Sequence, residues 1–298
     1  MEHWIKAFRL RTLPLALASI FMGAFLAAAD DHFNWMIFSL CISTTIFLQV
    51  LSNLANDYGD SIHGADSKDR VGPKRAVQSG VISLKSMRNA VVAFAILSFV
   101  SGTFLLFIAF QNDWRAILAF LGLGILSILA AVGYTIGKKP YGYAGLGDLS
   151  VMIFFGLVGV LGSYYLFTKT FSAQYVFPAI SCGLFAIAVL NINNIRDIDS
   201  DKLAGKFSIP VRIGRINAIR YHWFLLAAGI ATAVIYTVFY FTSVWQLMFL
   251  LSIPFLMYNG KAVSSKPSSQ LDPFLRQMAL STLLFVITFG CGVLLSKI

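Results

Sequence analysis

Apolar runs long enough to cross a bilayer, about 20 residues each, recur along this 298-residue chain with short polar gaps between them. Nine are recognisable, over residues 13–29, 35–54, 89–110, 115–136, 149–167, 174–194, 218–241, 244–260 and 275–295. Almost nothing is left over for a separate soluble domain. The pattern predicts an all-α fold: a polytopic membrane protein with nine transmembrane helices in one domain spanning 1–298.

Composition agrees, since a chain 58% hydrophobic and 12% charged has too little polar side chain to cover a water-facing surface. The net charge of +10 would suggest nucleic acid in a soluble protein. Its distribution points instead to membrane orientation, and no nucleic-acid partner is expected. With the N-terminus in the cytoplasm, only Arg115, Lys169 and Lys297 of the 23 basic residues fall on the far side. That asymmetry implies a multi-pass protein of the cell (inner, cytoplasmic) membrane. The basic start followed by an apolar run to Ala27-Ala28-Ala29 has the outline of a signal peptide. The run from Leu13 to Ala29 is long for one, however, and cleavage would remove Arg9 and Arg11. Cys41, Cys182 and Cys291 lie inside apolar runs at unrelated spacings, as buried apolar residues do.

Acids are scarce, thirteen in all with Glu2 the only glutamate, and ten of them fall on the expected cytoplasmic side. Asp57, Asp60, Asp66 and Asp69 follow the second run; Asp197, Asp199 and Asp201 follow the sixth. In each cluster an Asn stands four residues before an Asp (Asn53 and Asp57, Asn193 and Asp197), with a further Asp three or four residues on and then a glycine, Gly64 or Gly205. Four spans separate the clusters, which suggests an internal repeat over about 13–136 and 149–260. The expected architecture is two four-helix halves plus a ninth helix, 275–295, around a central cavity.

Residues i and i+4 share a helix face, so Asn53, Asp57 and Asp60 converge from one helix end, and Asn193, Asp197 and Asp201 from another. Several hard oxygen donors at a cavity mouth suit Mg²⁺, which prefers one or two carboxylates completed by water and phosphate oxygens. A diphosphate supplies such oxygens. The interleaved Lys68, Arg70, Lys74, Arg75, Arg196, Lys202 and Lys206 are placed to neutralise one. The plainer alternative is a set of solvated loop charges. An ion-coupled transporter is the competing reading, but transport carboxylates are expected near the midplane on broken helices, and these lie at helix ends.

The segments Asn53–Asp60 and Asn193–Asp201 resemble the two signature motifs of the UbiA superfamily of intramembrane prenyltransferases. Gly64–Asp66, Arg70–Arg75, the loop Gly137–Asp148 and the start Arg11–Pro14 are similar to the branch acting on 1,4-dihydroxy-2-naphthoate in menaquinone biosynthesis. Asp57 and Asp60 stand three apart where much of the superfamily has acids four apart. The resemblance implies Mg²⁺-dependent transfer of a long-chain polyprenyl group from its diphosphate to the naphthoate, with loss of carbon dioxide and diphosphate, giving demethylmenaquinol. 4-Hydroxybenzoate, homogentisate, haem or a chlorophyll precursor are alternative acceptors. It further implies Asn53, Asp57, Asp60, Asn193, Asp197 and Asp201 as metal residues, with Asp66 and Tyr141 in the chemistry. Arg70, Lys74, Arg75, Lys138, Arg196 and Lys202 would hold the diphosphate.

An allylic cation needs shelter from water and is stabilised by aromatic faces. Phe47, Tyr134, Phe154, Phe155 and Tyr164 are candidate wall residues, and Tyr141 and Tyr143 lie in a Gly-rich loop suited to covering the pocket. Arg9 and Arg11 either reach the diphosphate or anchor the first helix. His63 is not expected to act as a base. Gly156, Gly159 and Gly162 fit close helix packing.

Overall fold

A computed structural model describes residues 2–64 and 75–297, and over them every regular element is helical. A short α1 (Glu2–Phe8) precedes α2 (Leu13–Ala29), α3 (Trp35–Ile62), α4 (Leu84–Phe110) and α5 (Trp114–Gly133). There follow α6 (Gly147–Thr168) and α7 (Ala173–Arg196), the short α8 (Ile198–Leu203), α9 (Ile209–Phe239), α10 (Val244–Ser265) and α11 (Asp272–Leu295). Among the described residues nine helices are long and apolar enough to span a membrane, as the hydrophobic runs predict. The protein is a multi-pass membrane protein.

Local chemistry explains where the helices begin. Asn34 Oδ1 accepts from the Met36 and Ile37 amides at the start of α3, and Asp113 Oδ1 does the same for Arg115 and Ala116 at α5, satisfying amides that a helix start leaves unpaired. Pro14, Pro210 and Pro273 stand in the first turns of α2, α9 and α11, where the missing N–H costs nothing. Gly64 and Gly205 close the two Asp clusters at φ +73° and +70°, backbone geometry that glycine adopts without strain.

Several helices overrun their apolar cores at the end carrying most of the basic residues, the basic face. The second apolar run ends at residue 54, yet α3 continues to Ile62; the seventh begins at 218, yet α9 starts at Ile209 and is kinked at Gly214. The first Asp motif therefore lies within a helix, not after it. Polar residues persist in these last turns because tertiary partners satisfy them.

Helices α3, α4 and α5 follow one another around one side; α7 packs against α6, α9 and α11, and α11 also meets α2 and α10. Between helices in lipid, close packing replaces the hydrophobic driving force. Gly156 of α6 lies against Ala179 and Gly183 of α7, and Gly159 against Ser19 of α2; Gly162 opens onto the cavity instead. Phe185, Phe249, Phe285 and Phe289 are fully buried between α7, α10 and α11. Helix α6 winds with π-type turns over Met152–Gly162, and that segment forms cavity wall. At the opposite face, Asp30 accepts hydrogen bonds from Tyr164 and Tyr175, each 2.8 Å, joining α2 to α6 and α7. Protection inside the fold is uneven: 72% of the apolar window of α7 is buried, against 6% of that of α5.

Gly59 reads the packing at the first motif, because a Cβ there would stand 2.6 Å from the Thr135 carbonyl oxygen. Gly59→Ala is expected to cost about 1–3 kcal/mol through overpacking, seen as a lower thermal unfolding midpoint in micelles. Gly122→Ala, where nothing lies within 4 Å, should leave the midpoint unchanged or raise it.

Candidate active site

Both Asp motifs end helices that run toward the basic face, at the C-terminal ends of α3 and α7. A helix C-terminus carries a partial negative charge, so carboxylates placed there deepen a negative potential that only cations relieve. The protein supplies those cations. Asp60, 3% exposed, forms a close ion pair with Arg75, whose Nη1 also donates to the Asn56 carbonyl at 2.8 Å. Its other oxygen accepts the Tyr143 hydroxyl at 2.8 Å.

At the second motif, Arg196 donates from Nε and Nη2 to both oxygens of Asp197, at 2.8 and 2.6 Å. It also donates to Asn193 Oδ1 at 2.8 Å and to Asp272 Oδ1 at 2.7 Å. Asp272 in turn accepts from Arg11 at 2.6 Å. The ladder Arg11–Asp272–Arg196–Asp197 thus ties the start of α2 to the start of α11 and the end of α7.

Buried Lys206 faces both oxygens of Asp201, at 3.3 and 3.2 Å. Burial pushes the Asp201 carboxyl above its usual value, with Lys206 pulling against it. Burial also opposes the Lys206 charge, but Asp201 and Asp60 more than offset it, so its pKa is raised and it stays protonated. Lys206 bonds Asp201 of the second motif and feels the charge of Asp60 of the first. Burial raises the Tyr143 hydroxyl, next to Asp60, so this phenol remains a hydrogen-bond donor at neutral pH.

Beneath the motifs runs a cavity of about 440 Å³, polar at its mouth and apolar below. Arg9, Arg11, Gln49, Asn53, Asn56, Asn193 and Arg276 form the mouth; Cys41, Leu105, Leu106, Phe120 and Leu166 line the far end. From Asn56 to Cys41, a rise of about 1.5 Å per residue makes it roughly 22 Å deep. Tyr134, Phe154 and Phe155 line it as expected. Phe47 and Tyr164 are not on its wall: Phe47 packs toward Phe94, and Tyr164 bonds Asp30 at the opposite face.

Asn53 reaches the mouth but is already engaged. Its Nδ2 donates to the Phe8 carbonyl and Thr12 Oγ1, and its Oδ1 accepts from Gln49. Tyr141 also lines the cavity, its hydroxyl donating to the Ala130 carbonyl and meeting Ser150. Lys138 and Lys202 are exposed. Asp66, Arg70 and Lys74 lie outside the described residues. The His63 ring contacts the Gly59 and Gly137 carbonyls, a structural position. Asp272 escaped the sequence reading because it stands outside both motifs, and Asp272-Pro273 reads only as a helix start.

Among the described residues no three acidic, imidazole or thiol groups gather tightly enough to hold a metal between them. The donors nevertheless fit a hard cation: Asp57 Oδ1 is buried with no hydrogen-bond partner, and so is Asn194 Oδ1. A buried carboxylate oxygen left so costs about 1–3 kcal/mol or more, which a bound cation would relieve.

Removing one member of the buried ladder leaves uncompensated charge. Arg196→Ala is expected to destabilise the protein by about 3–5 kcal/mol, read as a fall in the unfolding midpoint. Arg196→Lys should recover only part, since an ammonium cannot span both Asp197 oxygens.

Comparison with known proteins accords with this geometry. Residues 16–294 match the UbiA prenyltransferase family. The chain is 46% identical over 298 residues to 1,4-dihydroxy-2-naphthoate octaprenyltransferase of Haemophilus influenzae, covering 99% of this chain and 96% of the relative. The fold resembles the apo structure of a UbiA homolog from Aeropyrum pernix, with TM-score 0.69 and 20% identity, covering 97% of this chain and 99% of that one. It also resembles a UbiA homolog from Archaeoglobus fulgidus bound to DMAPP and Mg²⁺, with TM-score 0.59 and 17% identity, covering 96% and 98%. The chain belongs to the UbiA prenyltransferase family.

Proposed function

We propose that this protein transfers a long polyprenyl group from its diphosphate to 1,4-dihydroxy-2-naphthoate, giving demethylmenaquinol in menaquinone biosynthesis. The observation that carries the reading is the pairing of two Asp-bearing helix ends with a deep apolar cavity, in a chain 46% identical to a naphthoate octaprenyltransferase. The allylic C–O bond breaks, a ring carbon of the naphthoate bonds to the allylic carbon, and the carboxyl group leaves as carbon dioxide. No oxidant is consumed, so the product is the quinol.

Mg²⁺ is the proposed cofactor, in keeping with the metal in the Archaeoglobus homolog; when bound it would neutralise charge developing on the departing diphosphate. Asp57, with its unpartnered oxygen, Asp197, Asp201 and Asn194 are the residues that would hold it, with Asp60 nearby. Arg75 and Lys206, which neutralise Asp60 and Asp201 in the free protein, are placed to turn toward phosphate oxygens. The apolar wall takes the prenyl tail, while Tyr134, Phe154 and Phe155 present ring faces to a developing allylic cation and exclude water. On positive-inside grounds the basic face is cytoplasmic and the membrane the inner one.

Purified protein with Mg²⁺, octaprenyl diphosphate and the naphthoate should release carbon dioxide and a lipid quinol, and EDTA should abolish turnover. Prenylation of 4-hydroxybenzoate but not the naphthoate would overturn the acceptor assignment. Asp57→Asn and Asp197→Asn should each lower kcat by about 100-fold or more; full activity in both would sink the metal assignment.

A further inference from the structure

Arg9, Arg11 and Arg276 bring three guanidinium groups to the cavity mouth. Arg11 is committed to Asp272. Arg9 is set in the turn before α2, at φ 50° with its carbonyl accepting the Thr12 hydroxyl. Arg276 differs from both. It is exposed, stands in the second turn of α11 beside the wall residues Leu275 and Ala279, and has no ion pair among the described residues.

The reason lies one turn earlier on the same helix face. Asp272 is the i−4 neighbour and would ordinarily pair with Arg276, but Arg196 takes its Oδ1 and Arg11 its Oδ2. The ladder that ties three helices together therefore leaves a cation over at the mouth. Arg276 also borders a groove along α11 with Gln277, Leu280 and Leu284, so it stands where a polar rim meets apolar surface.

The two substrates of the proposed reaction carry different anions. The diphosphate has its own receptors, the aspartates with metal and the cations Arg75 and Lys206, all from α3, α7 and their loops. The aromatic acid brings a planar carboxylate, which a guanidinium fork matches with two parallel hydrogen bonds. We propose that Arg276 receives the carboxylate of the aromatic acceptor and makes the site selective for acceptors that bear one. This rests on the aromatic-acid reading above. Water competes for the pair because Arg276 is exposed, so it orients the acceptor without trapping a group that must later depart as carbon dioxide.

Calorimetric binding separates this from the reaction itself. The probes are 1,4-dihydroxy-2-naphthoate and 1,4-dihydroxynaphthalene, which lacks the carboxylate, titrated into full-length wild type, Arg276→Gln and Arg276→Lys. Arg276→Gln should weaken the naphthoate about tenfold or more, Arg276→Lys should recover part of the loss, and the dihydroxynaphthalene should bind all three alike. In kinetics the acceptor KM should rise while the prenyl diphosphate KM stays within about twofold. Equal naphthoate affinity in wild type and Arg276→Gln, no naphthoate binding at all, or a parallel rise in the prenyl diphosphate KM would overturn the proposal. Arg276-dependent binding without turnover would support it while sinking the reaction reading.

Discussion

A buried carboxylate at a helix end favours a positive charge against it, and at Asp60, Asp197 and Asp201 this requirement organises the basic face. Leaving such a group bare costs several kcal/mol, and the C-terminal ends of α3 and α7 add to the negative potential. Arg75, Arg196 and Lys206 meet the demand at Asp60, Asp197 and Asp201. Arg75 also docks its loop on the end of α3, and Arg196, through Asp272, docks the end of α7 on α11. The backbone follows: the Phe207 amide donates to the Tyr143 carbonyl, and Arg212 to the Ala144 and Phe207 carbonyls, joining the loop before α6 to the one before α9.

The same arrangement reconciles stability with reactivity. A cluster of bare acids would be hard to fold, and one locked permanently to arginine would be inert toward metal. Here Asp60 and Asp201 each pair with a cation, while Arg196 is shared among Asp197, Asn193 and Asp272, so it keeps two acceptors if Asp197 is drawn away. Arg196, expected from sequence to meet the diphosphate, is engaged in a structural ladder. Asp60, whose spacing departs from the commoner pattern, proves to be a hub bonded to Arg75 and Tyr143.

Much of the fold was legible because the bilayer imposes one strong rule, about 20 apolar residues per crossing, and runs such as 13–29 and 275–295 follow it closely. Helix ends at the basic face were less legible. Hydropathy stops at residue 54 of α3, while the turns beyond it are held by tertiary hydrogen bonds, from Thr135 to the Ala55 carbonyl and from Arg75 to the Asn56 carbonyl, 80 and 19 residues apart. The Asp motifs could be found from spacing alone, since i and i+4 share a face. Their partners could not: Asp272 meets Arg196 across 76 residues of chain, and no periodicity encodes that. Likewise, aromatic residues outnumber the places on the cavity wall, which is why Phe154 and Tyr164 looked alike in sequence and sit at opposite ends of different tasks.

The weak enclosure of α5 has a consequence for where this protein works well. Its cavity-facing residues Phe120, Gly124 and Ala131 form one wall, yet Leu118, Leu126 and Leu129 on the other side are about 60% exposed and meet lipid tails. Acyl chains are thus the outer backing of the cavity. Lateral pressure and bilayer thickness bear on that wall, so a detergent micelle and a native membrane back the cavity differently.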